Sequence, residues 1–372
     1  MQRNRMTGAM IVAVLFSLLG FDTAAQDRGD CANELRTPKY VLTGECDFRE
    51  TVASQIEPFW STVVTRGVIK RDDLDLHYAH ARSEISNRAI VISSGRTEGL
   101  AKYKELMYDL HSNGYSVYII DHRGQGHSSR MLEDPHKGYV ADFQDYVTDF
   151  KAFVDAEVRP QEFSELFLLA HSMGGAIATL YLEQHPGVFD AAALSSPMHE
   201  PDASIFGSPT LGCLWFRLTY LACDTCYVGF LDRGYAPAEF NDNILTNSPL
   251  RYEHMLTTYA EEEGAGRSVV LGGPTRRWVR EACLASKQMI RDAGKIDIPV
   301  LVLQAGDDEA VTARGQDAFC EVLQSTANPG CVGGAPLKAG LVQAKHELFI
   351  EADEYRNQAL TRILDFFDQH SR

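Results

Sequence analysis

Five short apolar runs recur along the chain: AIVIS at 89–93, VYIID at 117–121, LFLLA at 166–170, AAAL at 191–194 and VLVLQ at 300–304. Each is too short for a helix, is apolar at successive positions and is bounded by turn residues. That is the pattern of strands buried on both faces of a parallel sheet. Between them, apolar positions recur at spacings of three and four. The spacing predicts helices over Leu100–Asn113, ending before Gly114, over Phe143–Ala156, over Met173–His185, ending before Pro186 and Gly187, and over about Glu354–Gln369. Strands alternating with helices form βαβ units, so the fold class expected is α/β, a mostly parallel sheet with helices on both faces. Ahead of them, GVIKRDDLDLHYAHA reads as an antiparallel hairpin turning at Arg71–Asp73.

The alternation breaks over about 198–285, where Gly, Pro, aromatic residues and four cysteines accumulate. This stretch reads as an insertion between two strands, placed to cover the carboxyl edge of the sheet, where open α/β sheets bind ligands. Its most apolar part is SIFGSPTLGCLWFRLTYLAC, Ser204–Cys223. A helix from this run lying over a site has one face to pack and one to line a tunnel, and Trp215 and Phe216 are the expected substrate-binding residues.

The N-terminus carries Arg3 and Arg5, an apolar run from Ala9 to Gly20, and small residues before Gln26. This predicts a cleavable signal peptide over 1–25, an N-terminal extension over 26–58 and a main domain over 59–372. The expected location is the periplasm or the medium. No other run is long and apolar enough to span a bilayer, which leaves transient contact with a membrane surface. Export makes the eight cysteines informative, because an even number in an oxidising compartment points to disulfides. Cys31 with Cys46 and Cys320 with Cys331 each flank a short segment and are the expected pairs, and CDTC at 223–226 reads as structural. The formal charge of −16 argues against nucleic acid, which needs a basic footprint.

The segment LFLLAHSMGGAIATLYLEQHP places Ser172 where a strand meets a helix. A serine there is a helix N-cap or a nucleophile. AHSMG matches the G-x-S-x-G elbow with Ala170 in place of the first glycine, and the small neighbours suit a tight strand-to-helix turn. A nucleophilic serine needs a base and the base an orienter, in the chain order serine, acid, histidine. VLVLQAGDDEAV offers Asp307 and Asp308; Asp308, three residues before Val311, is preferred. Of the histidines that follow, His346 in VQAKHELF is preferred over His370 in the tail. His171 reads as a packed wall residue. The expected oxyanion donors are the backbone N–H of Met173 and that of Arg96 in SSGRTEG. The loop DHRGQGHSS lacks a phosphate-binding pattern and reads as a buttress. No metal and no organic cofactor are expected.

From about Phe59 to Gln369 the chain resembles a bacterial lysophospholipase of the monoacylglycerol-lipase-like branch of the α/β-hydrolases. The resemblance rests on GRTEGLAKYKELMYDL, IIDHRGQGHSSR, DFQDYVTDF, LAHSMGGAIATLYLEQHPGVFDA, GGPTRRWVRE, VLVLQAGDDEAV and KHELFIEADEYR. It implies a lidded serine hydrolase acting on single-chain glycerolipid esters, with a triad at Ser172, Asp308 and His346 and oxyanion donors at Arg96 and Met173. The insertion departs from the family over Met198 to about Ser268, and the insertion sets substrate choice. Two other readings stand beside it. A peptidase of the same branch would hold a substrate amine with carboxylates such as Glu261, Glu262 and Glu263. A non-catalytic lipid-binding homologue would have lost a triad member.

Overall fold

The computed structural model describes residues 39–203, 208–228, 234–265, 269–324, 331–332 and 342–371. The expected signal peptide, Cys31 and the start of the apolar run at 204–207 lie outside them. Eight strands form one sheet: β1 (Thr65–Arg71), β2 (Leu74–Ala81), β3 (Arg88–Ser93), β4 (Ser116–Ile120), β5 (Glu165–His171), β6 (Ala191–Ser195), β7 (Val300–Leu303) and β8 (Cys331–Val332). Their order is β1-β2-β4-β3-β5-β6-β7-β8. β1 and β2 are antiparallel, and the hairpin turns at Asp72, whose φ is 53°. The pairs from β4 through β8 are parallel. All residues of β4, β5, β6 and β7 are buried, which explains their uninterrupted apolar character.

Helices cover both faces. α1 is built of Phe48–Thr51, a π-turn Val52–Ile56 and Glu57–Thr62. α2 is Lys104–Ser112, preceded by the 3₁₀ turn Leu100–Tyr103; α3 is Gln144–Phe153, continued by the π-turn Val154–Val158; α4 is Met173–Gln184. Between β6 and β7 come α5 (Pro209–Thr219), α6 (Pro249–Gly264) and α7 (Arg276–Asp292). α8 (Ala313–Gln324) and α9 (Asp353–Gln369) follow. One core cluster joins the sheet to α3, α4 and α7 through Phe150, Ile177 and Trp278. The other joins it to α1, α2 and α9 through Trp60, Leu110 and Phe367. A small third cluster holds α6 through Tyr252, Met255 and Tyr259. No described helix is long and apolar enough to cross a membrane.

Residues 36–372 form one compact unit, and the boundary expected at residue 58 falls inside α1. Thr43 and Arg356 both bond to Asp109, which ties the segment before α1 to α2 and α9. Cys213 pairs with Cys283, joining α5 to α7, and Cys223 pairs with Cys226. Cys46 and Cys320 are also disulfide-bonded; the side chains of Cys31 and Cys331, their expected partners, lie outside the described residues.

Candidate active site

β5 delivers Ser172 to the carboxyl edge of the sheet, and α4 begins at the next residue. Ser172 has φ 50° and ψ −119°, a conformation held only where the surroundings over-determine it. Strand and helix approach so closely that a Cβ on Gly174 would lie 2.1 Å from the carbonyl oxygen of Ser93, and one on Gly175 2.6 Å from Pro197. Ala170 is fully buried and pairs with Ser93 across β3 and β5, so its methyl is accommodated where the elbow pattern has glycine. The Ser172 hydroxyl makes no capping bond to α4; its Oγ lies 2.8 Å from His346 Nε2. Geometry thus sets aside the N-cap alternative.

The D-x-x-V spacing has a physical reason. Asp308 Oδ1 accepts the N–H groups of Ala310 and Val311 at 2.9 and 3.1 Å, clamping its own turn. Its Oδ2 is presented to His346 Nδ1 at 2.8 Å. A carboxylate only accepts, so Nδ1 carries the imidazole proton and Nε2 accepts from the Ser172 hydroxyl. The Asp308 and His346 side chains are 7 % and 5 % exposed. Asp307 is exposed, with its backbone N–H on the Ala344 carbonyl. His370 lies at the C-terminal end, its Nδ1 2.8 Å from the Phe366 carbonyl.

Arg96 sits in the loop after β3, and Met173 is the first residue of α4. The Arg96 guanidinium is drawn away from Ser172: it donates to the Gly272 carbonyl at 2.5 Å and lies 5.1 Å from the Trp278 ring centre. The loop after β4 supports this segment. Gln125 Nε2 donates to the Gly95 carbonyl, and Asp121 accepts the N–H groups of Leu100 and His127 at 2.9 and 2.8 Å.

A cavity of about 330 Å³ opens over Ser172 and His346, walled by Arg96 and by apolar side chains including Met198, Phe216, Val228, Trp278 and Val311. Phe216 faces this cavity. Trp215, on the other side of α5, is 56 % exposed and does not line it. A second cavity of about 350 Å³ shares Thr97, Ile244, Leu245 and Glu347 with the first and is walled by Tyr235, Tyr252 and Tyr259. Glu261, Glu262 and Glu263 line neither; Glu262 pairs with His127, and Glu263 accepts the N–H of Val269.

Beneath the site lies a buried cluster that sequence reasoning does not find. Lys102 Nζ reaches Glu98 at 2.5 Å and Glu347 at 2.7 Å, and His171 Nε2 lies 3.0 Å from Glu347. Burial alone would raise the Glu347 carboxyl, but His171 and Lys102 hold it well below the usual carboxylate range. Burial would lower His171, and the carboxylates of Glu347 and Glu98 outweigh it and raise the imidazole. Glu98, His171 and Glu347 are the one set of histidine and carboxylate donors among the described residues close enough to hold a metal. The Lys102 ammonium, bonded to both carboxylates, already supplies a cation there.

A family model described as serine aminopeptidase, S33, matches residues 85–330. Lysophospholipase L2 of Escherichia coli (strain K12) is 39% identical over 336 residues, 88% of this chain and 94% of that protein. Monoglyceride lipase of Homo sapiens is 36% identical over 241 residues, 63% of this chain and 70% of that protein. Among solved structures, a soluble variant of monoglyceride lipase from Saccharomyces cerevisiae in complex with a substrate analog matches with a TM-score of 0.62 at 20% identity, over 83% of this chain and 97% of that one.

Proposed function

Because this chain belongs to the serine aminopeptidase S33 family of α/β-hydrolases and is similar to lysophospholipase L2 over nearly that protein's full length, we propose that it hydrolyses the acyl ester of lysophospholipids or monoacylglycerols. The observation that carries this reading is the unbroken hydrogen-bond chain Ser172–His346–Asp308 at the base of an apolar cavity. Ser172 attacks the ester carbonyl while His346 takes its proton. Asp308 holds the imidazole in the required tautomer and stabilises the imidazolium. The N–H groups of Arg96 and Met173 receive the developing oxyanion. His346 then returns the proton to the leaving glycerol oxygen, and water releases the acyl-enzyme through the same base.

Phe216, Met198 and Trp278 give the acyl chain an apolar wall. The outer face of α5 supports a lipid source for that chain. Leu211, Leu214, Trp215 and Leu218 follow one helical stripe and are 51, 53, 56 and 61 % exposed. A continuous apolar stripe with a tryptophan on a surface helix suits the interface of a lipid aggregate. The six described disulfide-bonded cysteines, Cys46, Cys213, Cys223, Cys226, Cys283 and Cys320, fit an exported enzyme in an oxidising compartment.

Hydrolysis of a panel of two-chain phospholipids, lysophospholipids, monoacylglycerols and an aminoacyl anilide, with products identified by mass, tests the reading. Free fatty acid from the single-chain esters alone is expected. Cleavage of the anilide in preference to the esters would replace it with a peptidase.

A further inference from the structure

We propose that Glu347 is a positioning residue: with Lys102, Glu98 and His171 it forms a buried ion-pair lock that holds His346 against Ser172. The proposal rests on the reading of Ser172 and His346 as the reacting pair.

Each member of the lock is a close chain neighbour of a group that acts in the reaction. Glu347 follows His346, His171 precedes Ser172, and Glu98 lies two residues beyond Arg96. Lys102, one turn further on, joins the first of these segments to the last by bonding both carboxylates. The loop after β3, the end of β5 and the loop before α9, from distant parts of the chain, are therefore drawn together by one set of ion pairs. Glu98 reaches further into the oxyanion loop, accepting from the Gly95 N–H and the Tyr103 hydroxyl. The Glu347 backbone is fixed as well, its N–H donating to the Leu245 carbonyl at 2.9 Å.

The contacts of His171 define its state. Nδ1 lies 3.2 Å from the Ser195 carbonyl and Nε2 3.0 Å from the Glu347 carboxylate. The Ser195 carbonyl only accepts, so Nδ1 carries a proton, and the Nε2 contact with Glu347 is an ion-pair approach rather than an aligned hydrogen bond. Burial, and then the Glu347 charge, raise the Glu98 carboxyl against the opposing pull of Lys102 and His171. Glu347 is the carboxylate held ionised, facing both the Lys102 ammonium and the His171 ring. All four side chains are nearly inaccessible, at 1 to 6 % exposure.

A buried ion-pair set of this kind is a poor source of stability, because desolvation offsets the attraction. What it fixes is geometry. The His171 ring packs 4.8 Å from the His346 ring, centre to centre. Glu347 also forms the wall shared by the two cavities, where an untethered side chain would swing into the substrate's path. With the lock intact, His346 meets Ser172 at hydrogen-bond distance before substrate arrives.

The test uses the full chain with a soluble short-chain p-nitrophenyl ester. Lys102→Met combined with Glu347→Gln removes one charge of each sign and leaves the net charge of the cluster unchanged. A fall in kcat of about 10- to 100-fold, with KM within about threefold, is expected for a displaced base. Lys102→Arg, whose guanidinium can still bridge two carboxylates, is expected to stay within about fivefold of the parent. Near-parent kcat in the folded double variant would overturn the lock, as would loss of folding in both variants, which would make the cluster a folding element. Parallel measurements on Ser172→Ala and His346→Ala separate the two readings. If these retain activity, the reacting pair is wrong; if they are inactive while the double variant is unimpaired, only the lock fails.

Discussion

The floor and the roof of the active-site cavity are built on opposite terms. The floor is the carboxyl edge of β3, β5 and β7, where Ser172, Asp308 and His346 are each fixed by hydrogen bonds and nearly closed to solvent. The roof is α5, which turns Phe216 inward and leaves four large apolar side chains in water. The floor follows the rule that apolar surface is buried and polar groups are paired. The roof breaks it along one stripe, and a disulfide to α7 fastens it. On the proposed function, the floor would hold the chemistry and the roof would select which molecules reach it.

The sharpest way to break this division is to remove the floor's proposed reacting groups. Ser172→Ala and His346→Ala are expected to lower kcat by about 10⁴- to 10⁶-fold for every ester, lipid or not, with little change in thermal unfolding. Asp308→Asn is expected to cost about 10⁴-fold, by analogy with the serine-protease aspartate, where the wrong tautomer is stabilised. Asp307→Asn, on an exposed side chain, should stay within about twofold, because it touches neither His346 nor the cavity. Steady-state kinetics on p-nitrophenyl butyrate reads all four; the reverse ranking of the two aspartate variants would reassign the acid.

Roof variants sharpen the comparison by separating substrate from chemistry. Leu214→Ser, Trp215→Ser and Leu218→Ser together are expected to reduce turnover of micellar lysophospholipid by about tenfold or more, since the interfacial contact area is lost. Turnover of a water-soluble ester should be unchanged. Equal losses on both substrates would mean that the stripe supports the fold rather than an interface. Acyl length gives a graded measure: kcat/KM is expected to rise by about fourfold for each added methylene until the cavity is full. A steady fall from acetyl upward would remove the lipid reading.

The smallest effect concerns stability. Glu183 is buried on α4 beneath the floor, and neither carboxylate oxygen has a hydrogen-bond partner. Burial pushes its carboxyl up from 4.5 to about 9. A raised native pKa stabilises fully below 4.5, and the contribution is lost as pH rises toward about 9. Glu183→Gln, which cannot ionise, is expected to raise Tm by about 2–4 °C at pH 8 and to leave it unchanged near pH 4.5. Thermal unfolding across that range checks the sign.

Most of the floor was legible in the sequence and much of the roof was not. AIVIS, VYIID, LFLLA, AAAL and VLVLQ match β3 to β7 within a residue, because strands buried on both faces carry no competing period. α1 was missed: Phe48, Ile56, Phe59 and Trp60 do share one helical face, but Pro58 reads as a break and no apolar run marks the segment. β8 spans two described residues and has no pattern to read. Ser172, Asp308 and His346 were found because strand ends and the D-x-x-V spacing constrain them. Glu98, Lys102 and Glu347 were not, since charged residues ordinarily mark solvent. The trace that could have shown them is a glutamate between His346 and the apolar run Leu348–Ile350. Neighbours on a helix point about 100° apart, so the sequence alone could not say that Phe216 turns inward and Trp215 outward. The pairing of Cys213 with Cys283 is one of many that eight cysteines allow.

That crosslink makes a closed ring of chain, because the two cysteines are 70 positions apart and enclose most of the roof. Exposed loop tips are where proteases cut. A single cut between Leu214 and Ala282 would sever the backbone without releasing a fragment. The nicked protein would keep its mass until a thiol reductant split it in two. The roof can therefore be cleaved and still be carried by the floor it covers.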